Sequence, residues 1–180
     1  MTLRVRPARI SDAPAIARMI DALLAWHRFS HRSGGAAVVR RLAFGRRRRF
    51  RVLIAERGRK PAGMAIVYPG YDNDSASSGL LLSDLYVAPH ERRSGVGRAL
   101  MAAAAAEAKR DGGDWLFFFV APDNTGAQAF YRRLGARRLP TLPLAIEGAA
   151  FAELATQGVD EKTRRAAAVG GTPIAERDVS

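Results

Sequence analysis

Residues 80–87, Leu80-Leu81-Leu82-Ser83-Asp84-Leu85-Tyr86-Val87, form a nearly continuous apolar run that Pro89 ends. The run falls far short of the roughly 18 apolar residues that a membrane span needs. It also lacks the strict alternation of a strand with one wet face. It reads as a strand buried on both faces, so the chain must cover it from both sides. Residues 115–120, Trp115-Leu116-Phe117-Phe118-Phe119-Val120, read the same way. A chain built around such strands needs helices as its outer layers.

Those helices are visible. Ser11-Asp12-Ala13-Pro14 reads as a helix start, with a capping side chain and a proline early enough to be tolerated. Ile16, Met19, Ile20, Leu23 and Leu24 then recur at helical spacing. A second short helix is expected around Val38, Val39 and Leu42. The stretch 98–110 has the strongest helix propensity in the chain, and Gly112-Gly113 stops it. Asn124 or Thr125 opens a helix that runs to Leu134 and is capped by Gly135.

Further strands are expected at 3–6, 50–55 and 63–68, with the last two joined as a hairpin through Glu56-Arg57-Gly58-Arg59-Lys60-Pro61. Residues 71–79 read as a polar loop and residues 142–146 as a last strand. The resulting order is strand, helix or helices, three strands, helix, strand, helix, strand. This order predicts a mixed α/β layer in one domain over residues 1–157, followed by a polar C-terminal tail over 158–180.

Composition excludes several chemistries. The chain has no cysteine, which removes disulfides, acyl-cysteine intermediates and cysteine-ligated metals. Its formal charge of +12 favours anionic partners without distinguishing nucleic acid, a membrane surface or a phosphorylated cofactor. Arg46-Arg47-Arg48-Arg49 lacks interleaved aromatics and an adjoining recognition helix, so a solvated run or a guard on an edge strand is the better reading and a nucleic-acid partner is not expected. Charges stand among the first residues, where a secretory leader needs an apolar stretch, so a cytoplasmic setting without membrane attachment is expected.

The chemistry-bearing segment is Arg92-Arg93-Ser94-Gly95-Val96-Gly97-Arg98, between a buried strand and a strong helix. The first N–H groups of a helix lack intrahelical partners and carry partial positive charge, so phosphates bind there. Glycine at 95 and 97 keeps Cβ atoms away from those donors, and Arg92, Arg93 or Arg98 can add charge-assisted bonds. Leu100 occupies the third glycine position of a dinucleotide-binding fingerprint, and no Gly-Lys-Ser/Thr follows as in a Walker loop.

Arg92-x-x-Gly95-x-Gly97 after Leu85-Tyr86-Val87-x-Pro89 resembles motif A of the GNAT superfamily of N-acetyltransferases, and Asn124-x-x-Ala127-x-x-Phe130-Tyr131-x-x-Leu134-Gly135 resembles its motif B. Arg6-Pro7-Ala8, the Leu85-Tyr86-Val87 strand and the ending from Ile146 to Ala155 are most similar to the diamine (spermidine or thialysine) acetyltransferase branch. The resemblance implies a mostly antiparallel central sheet with helices on both faces. It also implies acetyl-CoA as cosubstrate without a metal, a small amine or peptide amine as acceptor, and a homodimer.

Position by position, the resemblance implies that the backbone of Leu85, Tyr86 and Val87 meets the pantetheine arm and the thioester carbonyl. Arg92, Arg93, Ser94, Gly95, Val96, Gly97 and Arg98 would hold the pyrophosphate, Asn124 and Ala127 would touch the cofactor arm, and Tyr131 would protonate the departing thiolate. Asp84 is a candidate base or ammonium site beside Ser83, and Trp26 and His27 are candidates for acceptor binding. Ser83 and His27 stand where the diamine branch carries acids, so a polyamine does not follow from the pattern. A protein amine, an aminoglycoside and a non-catalytic nucleic-acid module remain alternatives.

Overall fold

A computed structural model describes the backbone of residues 1–169 and the side chains of residues 1–158. It divides into two units, Met1–Ala136 and Arg137–Ser180. The first unit contains one sheet of five strands in sequence order: β1 (Leu3–Pro7), β2 (Arg51–Arg57), β3 (Lys60–Asp72), β4 (Ser77–Val87) and β5 (Gly113–Phe118). The first four pair antiparallel, and β5 joins β4 in parallel. A parallel neighbour requires a crossover, which is supplied by helix α3 (Val96–Arg110).

Helices α1 (Ala13–Trp26) and α2 (Gly35–Val39), the latter continued by a π turn at Arg40–Phe44, cover one face, where Ile16, Met19, Val39, Ile54, Met64 and Ile66 are buried together. Helix α3 and helix α4 (Thr125–Arg132) cover the other face over Leu53, Val67, Leu80, Leu82, Leu100 and Ala104. The apolar run that opened the sequence reading is thus covered on both sides, and the sheet is mixed and mostly antiparallel as expected.

Three local expectations are corrected. The polar stretch 71–79 is a tight turn at 73–76 between longer strands, because β3 runs to Asp72 and β4 begins at Ser77. The longer ladder is held by Trp115, whose indole lies where Cβ atoms on Gly70 and Gly79 would come within 2.6 and 2.1 Å of it. Secondly, Asp12 precedes α1 without capping it through its side chain. Its carboxylate instead accepts from Arg6 Nη1 at 2.7 Å, Arg6 Nη2 at 3.0 Å and the Arg9 N–H at 2.6 Å. Thirdly, residues 142–146 are not a strand: Leu142 and Leu144 are 86% and 93% exposed and the segment has no ladder partner among the described residues. Pro143 deprives it of a ladder donor.

The second unit contains helix α5 (Gly148–Val169). Residues 158–169 of the expected tail belong to α5, and residues 170–180 lie outside the described residues. No helix among the described residues is long and apolar enough to cross a membrane.

Two ionic clusters tie helices to the sheet. Arg6 on β1 joins Asp12 and also Glu56 on β2, with Nη2 to Glu56 Oε2 at 3.0 Å, so the start of α1 is fixed to two strands. The hydrogen bonds from Arg6, ahead of the Arg9 N–H, hold the Asp12 carboxyl below the ordinary carboxylate range. Arg51 on β2 reaches Glu107 on the last turn of α3 at 3.0 Å and Asp111, the residue that ends the helix, at 2.6 Å.

The folded state binds the Asp12 proton less tightly than the unfolded chain does. The stabilisation is therefore present above the unfolded value near 4 and is lost as pH falls through the lower folded value. Asp12→Asn should cost about 1 kcal/mol at pH 7 and shrink the difference from the parent below pH 4, as read by urea unfolding across pH. Glu107 is only 7% exposed and Asp111 43%. Arg51→Met should therefore cost about 2 kcal/mol, because it leaves the buried Glu107 carboxylate with only the longer contact to Arg110 Nη2 at 3.9 Å, and Asp111→Asn less than about 0.5 kcal/mol, in the same unfolding experiment.

Candidate functional site

The parallel pairing of β5 with β4 covers Ser78 to Leu82 only. Immediately beyond it, the register of β4 against β3 shifts: Val67 faces Leu82 and Ile66 faces Asp84, so Ser83 is an extra residue in a β-bulge. From Asp84 to Val87, β4 keeps its partner on the β3 side and, among the described residues, has no strand on the other. The sheet opens as a wedge, and one edge of β4 presents backbone donors and acceptors that an extended ligand can pair with.

The turn after β4 lies past the mouth of this wedge. Arg93 and Gly95 adopt left-handed backbone, with φ of 61° and 90°. The turn is braced from β2: Arg57 donates to Glu91 at 3.0 Å and to Ser94 Oγ at 3.1 Å, and Ser94 Oγ donates to the Glu91 carbonyl at 2.7 Å. The same Arg57 guanidinium, followed by the Ser94 hydroxyl, holds the Glu91 carboxyl below its usual range.

Among the described residues, the N–H groups from Arg93 to Arg98 have no backbone acceptor outside α3, and the first turn of a helix has none to offer them. Six consecutive donors at the positive end of a 15-residue helix make a strong anion cradle. Arg93 and Arg98 are exposed and form no ion pair among the described residues.

The two glycines serve different ends. Gly95 supplies the positive φ, and a Cβ there would meet nothing within 4 Å. At Gly97 a Cβ would sit 3.2 Å from Phe130 Cζ, so this glycine lets α4 approach α3. Helix packing is therefore enough by itself to require the second glycine.

Helix α4 brings Tyr131 over the same face. Its ring lies 4.3 Å from that of Phe118, where β5 ends, and 5.1 Å from that of Phe130. Leu85 and Val87 pack against the same buried cluster. Desolvation pushes the Tyr131 phenol up to about 12, so at neutral pH it is a proton donor, and its hydroxyl has no protein partner among the described residues. Asn124 caps α4 by accepting the Ala127 N–H at 3.0 Å, which leaves its amide nitrogen free.

The opposite face carries a cleft of about 260 Å³. Ile20, Leu24, Val39, Leu42, Phe50 and Ile66 give it apolar walls. Asp84, Tyr68, His31 and Ser33 supply the polar groups. Ser83 is exposed and its hydroxyl donates to the Asp84 carboxylate. Burial raises the Tyr68 phenol above its ordinary value, with the Asp84 charge adding to the rise. The segment after α1 is tied down by the Ser33 N–H, which donates to Asp21 at 2.7 Å.

Asp84 and Tyr131 thus belong to opposite faces of the sheet, both beside the wedge. Tyr86 packs with the α1 face rather than with Leu85 and Val87. The Arg92 guanidinium stacks 5.0 Å from the Trp26 ring, and its Nε donates to the Val87 carbonyl at 3.4 Å, which holds it against α1. His27, just past α1, stacks with Phe29 at 6.0 Å. Arg57, Tyr68, His31 and Phe50 escaped the sequence reading: they come from separate segments, and no spacing signal links them.

The Acetyltransferase (GNAT) family profile matches residues 16–136. A thialysine N-epsilon-acetyltransferase of Mus musculus is 30% identical over 165 residues, covering 84% of this chain and 96% of that protein. YhfO, an uncharacterised N-acetyltransferase of Bacillus subtilis (strain 168), is 29% identical over 133 residues, 74% of this chain and 89% of its own. An integron cassette protein of V. cholerae superposes with a TM-score of 0.75 at 19% identity, covering 86% of this chain and 98% of that one. The run of free N–H groups at the head of α3 and the opened edge of β4 thus coincide with a family match over most of the first unit, and the chain belongs to the acetyltransferase (GNAT) family of acyltransferases.

Proposed function

We propose that the protein transfers an acetyl group from acetyl-CoA to a primary amine by direct attack within a ternary complex. The observation that carries this reading is the run of free N–H groups from Arg93 to Arg98 placed at the end of the unpaired edge of β4. Six donors with arginine at both ends suit a diphosphate, and an open strand edge suits an amide-bearing arm that needs backbone partners. When bound, acetyl-CoA supplies an acyl group activated as a thioester.

The chain's own groups divide the remaining work. Backbone at Leu85 and Val87 orients the arm and donates to the carbonyl oxygen as negative charge gathers there. Arg93 and Arg98 add charge to the cradle, and Asn124 and Ala127 flank the arm. Tyr131 holds its proton at neutral pH and gives it to the departing sulfur. Asp84, with the Ser83 hydroxyl on its carboxylate, holds the ammonium on the opposite side of the wedge and takes the proton that the ammonium must lose before its nitrogen attacks the thioester carbonyl. Trp26, held by Arg92, and His27 border the acceptor approach.

The homodimer belongs to this proposal too. Support for the dimer is the exposure of Leu142, Leu144 and Ile146, apolar side chains that a second copy would cover.

Tyr131→Phe should lower kcat for thiol release from acetyl-CoA by about 10²-fold or more while leaving the affinity for coenzyme A unchanged by calorimetry. Unchanged turnover would remove Tyr131 from the reaction. Replacing Arg93 and Arg98 together by alanine should weaken coenzyme A about tenfold with little change in kcat at saturation. No heat of coenzyme A binding to the parent would end the acetyl-transfer reading.

A further inference from the structure

The cleft beside Asp84 carries information about the acceptor that the family match does not. Among the described residues lining it, Asp84 is the one carboxylate, and Ile20, Leu24, Leu42, Phe50 and Ile66, the last being the cross-strand partner of Asp84, give the cleft apolar walls. Phe50 and Tyr68 stand as tilted rings 6.0 Å apart and form an aromatic wall. Its volume of about 260 Å³ lies below the range for drug-sized ligands.

The basic run enters here. Arg46, Arg47, Arg48 and Arg49 are all exposed. The run directly precedes Phe50, and the Arg49 N–H donates to the Leu42 carbonyl at 2.7 Å. Phe50 and Leu42 both line the cleft, so the four guanidinium groups are attached to its wall. They repel any acceptor with more than one positive charge, and the cleft offers a second ammonium no carboxylate to meet.

We propose that the acceptor is a small primary monoamine with an apolar body, an alkylamine or arylalkylamine, held by one ion pair to Asp84 and by burial of its hydrocarbon against Leu24, Phe50 and Ile66. The Arg46–Arg49 run acts as a selectivity device that rejects diamines, polyamines and aminoglycosides. This inference rests on the acetyl-transfer reading and narrows it.

The test is thiol release from acetyl-CoA with hexylamine, 2-phenylethylamine, putrescine, spermidine and tobramycin, beside calorimetry of coenzyme A binding to the same protein. The expected result is a kcat/KM for the two monoamines at least about tenfold above that of each polycation, in line with one unmatched charge. Asp84→Asn should raise the KM for hexylamine about tenfold or more. Leu24→Glu, checked for folding by its thermal transition, should raise the ratio of putrescine to hexylamine use about tenfold by giving the second ammonium a partner. Changing Arg46 to Arg49 together to glutamine should raise spermidine use with little effect on hexylamine.

Preference of the parent for putrescine, spermidine or tobramycin, with coenzyme A bound, would overturn the inference and leave acetyl transfer standing. Turnover of none of the five amines, again with coenzyme A bound, would overturn it as well. Absence of coenzyme A binding would instead strike the reading beneath it.

Discussion

The site depends on one interruption: the hydrogen-bonded contact between β4 and β5 stops at Leu82. Were the parallel ladder to continue to Val87, every backbone group on that edge would be satisfied and no extended ligand could pair with β4. Two features set the stopping point. Trp115 locks the paired end by lying over Gly70 and Gly79, and the extra residue at Ser83 turns the strand just beyond. Phe118, the last residue of β5, then stacks on Tyr131 instead of continuing the ladder. The wedge is therefore a consequence of a tight end, a bulge and an aromatic stop.

The cradle at the head of α3 needs the wedge, and it also needs rigidity. Loops that bind anions through backbone N–H groups lose affinity when the donors must be ordered on binding. Here the ordering is done beforehand by Arg57, which reaches from β2 to both Glu91 and Ser94. Arg93 adopts a left-handed conformation that is unusual for a residue with a Cβ, and such strain persists where the surroundings enforce it. Gly97 contributes at a different level, through packing: it lets Phe130 close on α3, and so fixes where Tyr131 stands.

Much of this was legible in the chain. The apolar run 80–87, the turn 92–98 and the helices on either side follow from local propensity and from the need to bury a two-sided strand. The family resemblance singled out Tyr131, which stacks on the last residue of β5, and Asn124, which caps α4. The illegible part is long-range. The bulge at Ser83 leaves no mark in composition, because it is a mismatch in register between two strands that are each regular by themselves. Trp115 made the polar stretch 71–79 into strand by filling the slots at Gly70 and Gly79, both distant in sequence. Arg57 and Arg92 sit in stretches rich in arginine, where nothing singles out the one that braces the turn or the one that stacks on Trp26.

β4 separates two tasks by its alternation. Leu85 and Val87 pack toward α3 and α4, where donors are numerous and negative charge is welcome. Tyr86 packs toward α1, and Asp84 lines the cleft on that same face, whose other walls are apolar. An anionic ligand on one face and a cationic one on the other would each meet the sign of charge it needs, with the bulge and the missing β5 partner providing the opening between them. The side-chain pattern is therefore coupled to the strand's period of two: a one-residue slip of β4 would exchange the faces and carry Asp84 out of the cleft. Pairing of ten residues of β4 with β3, from Ser77 to Val87 around the bulge, fixes that register.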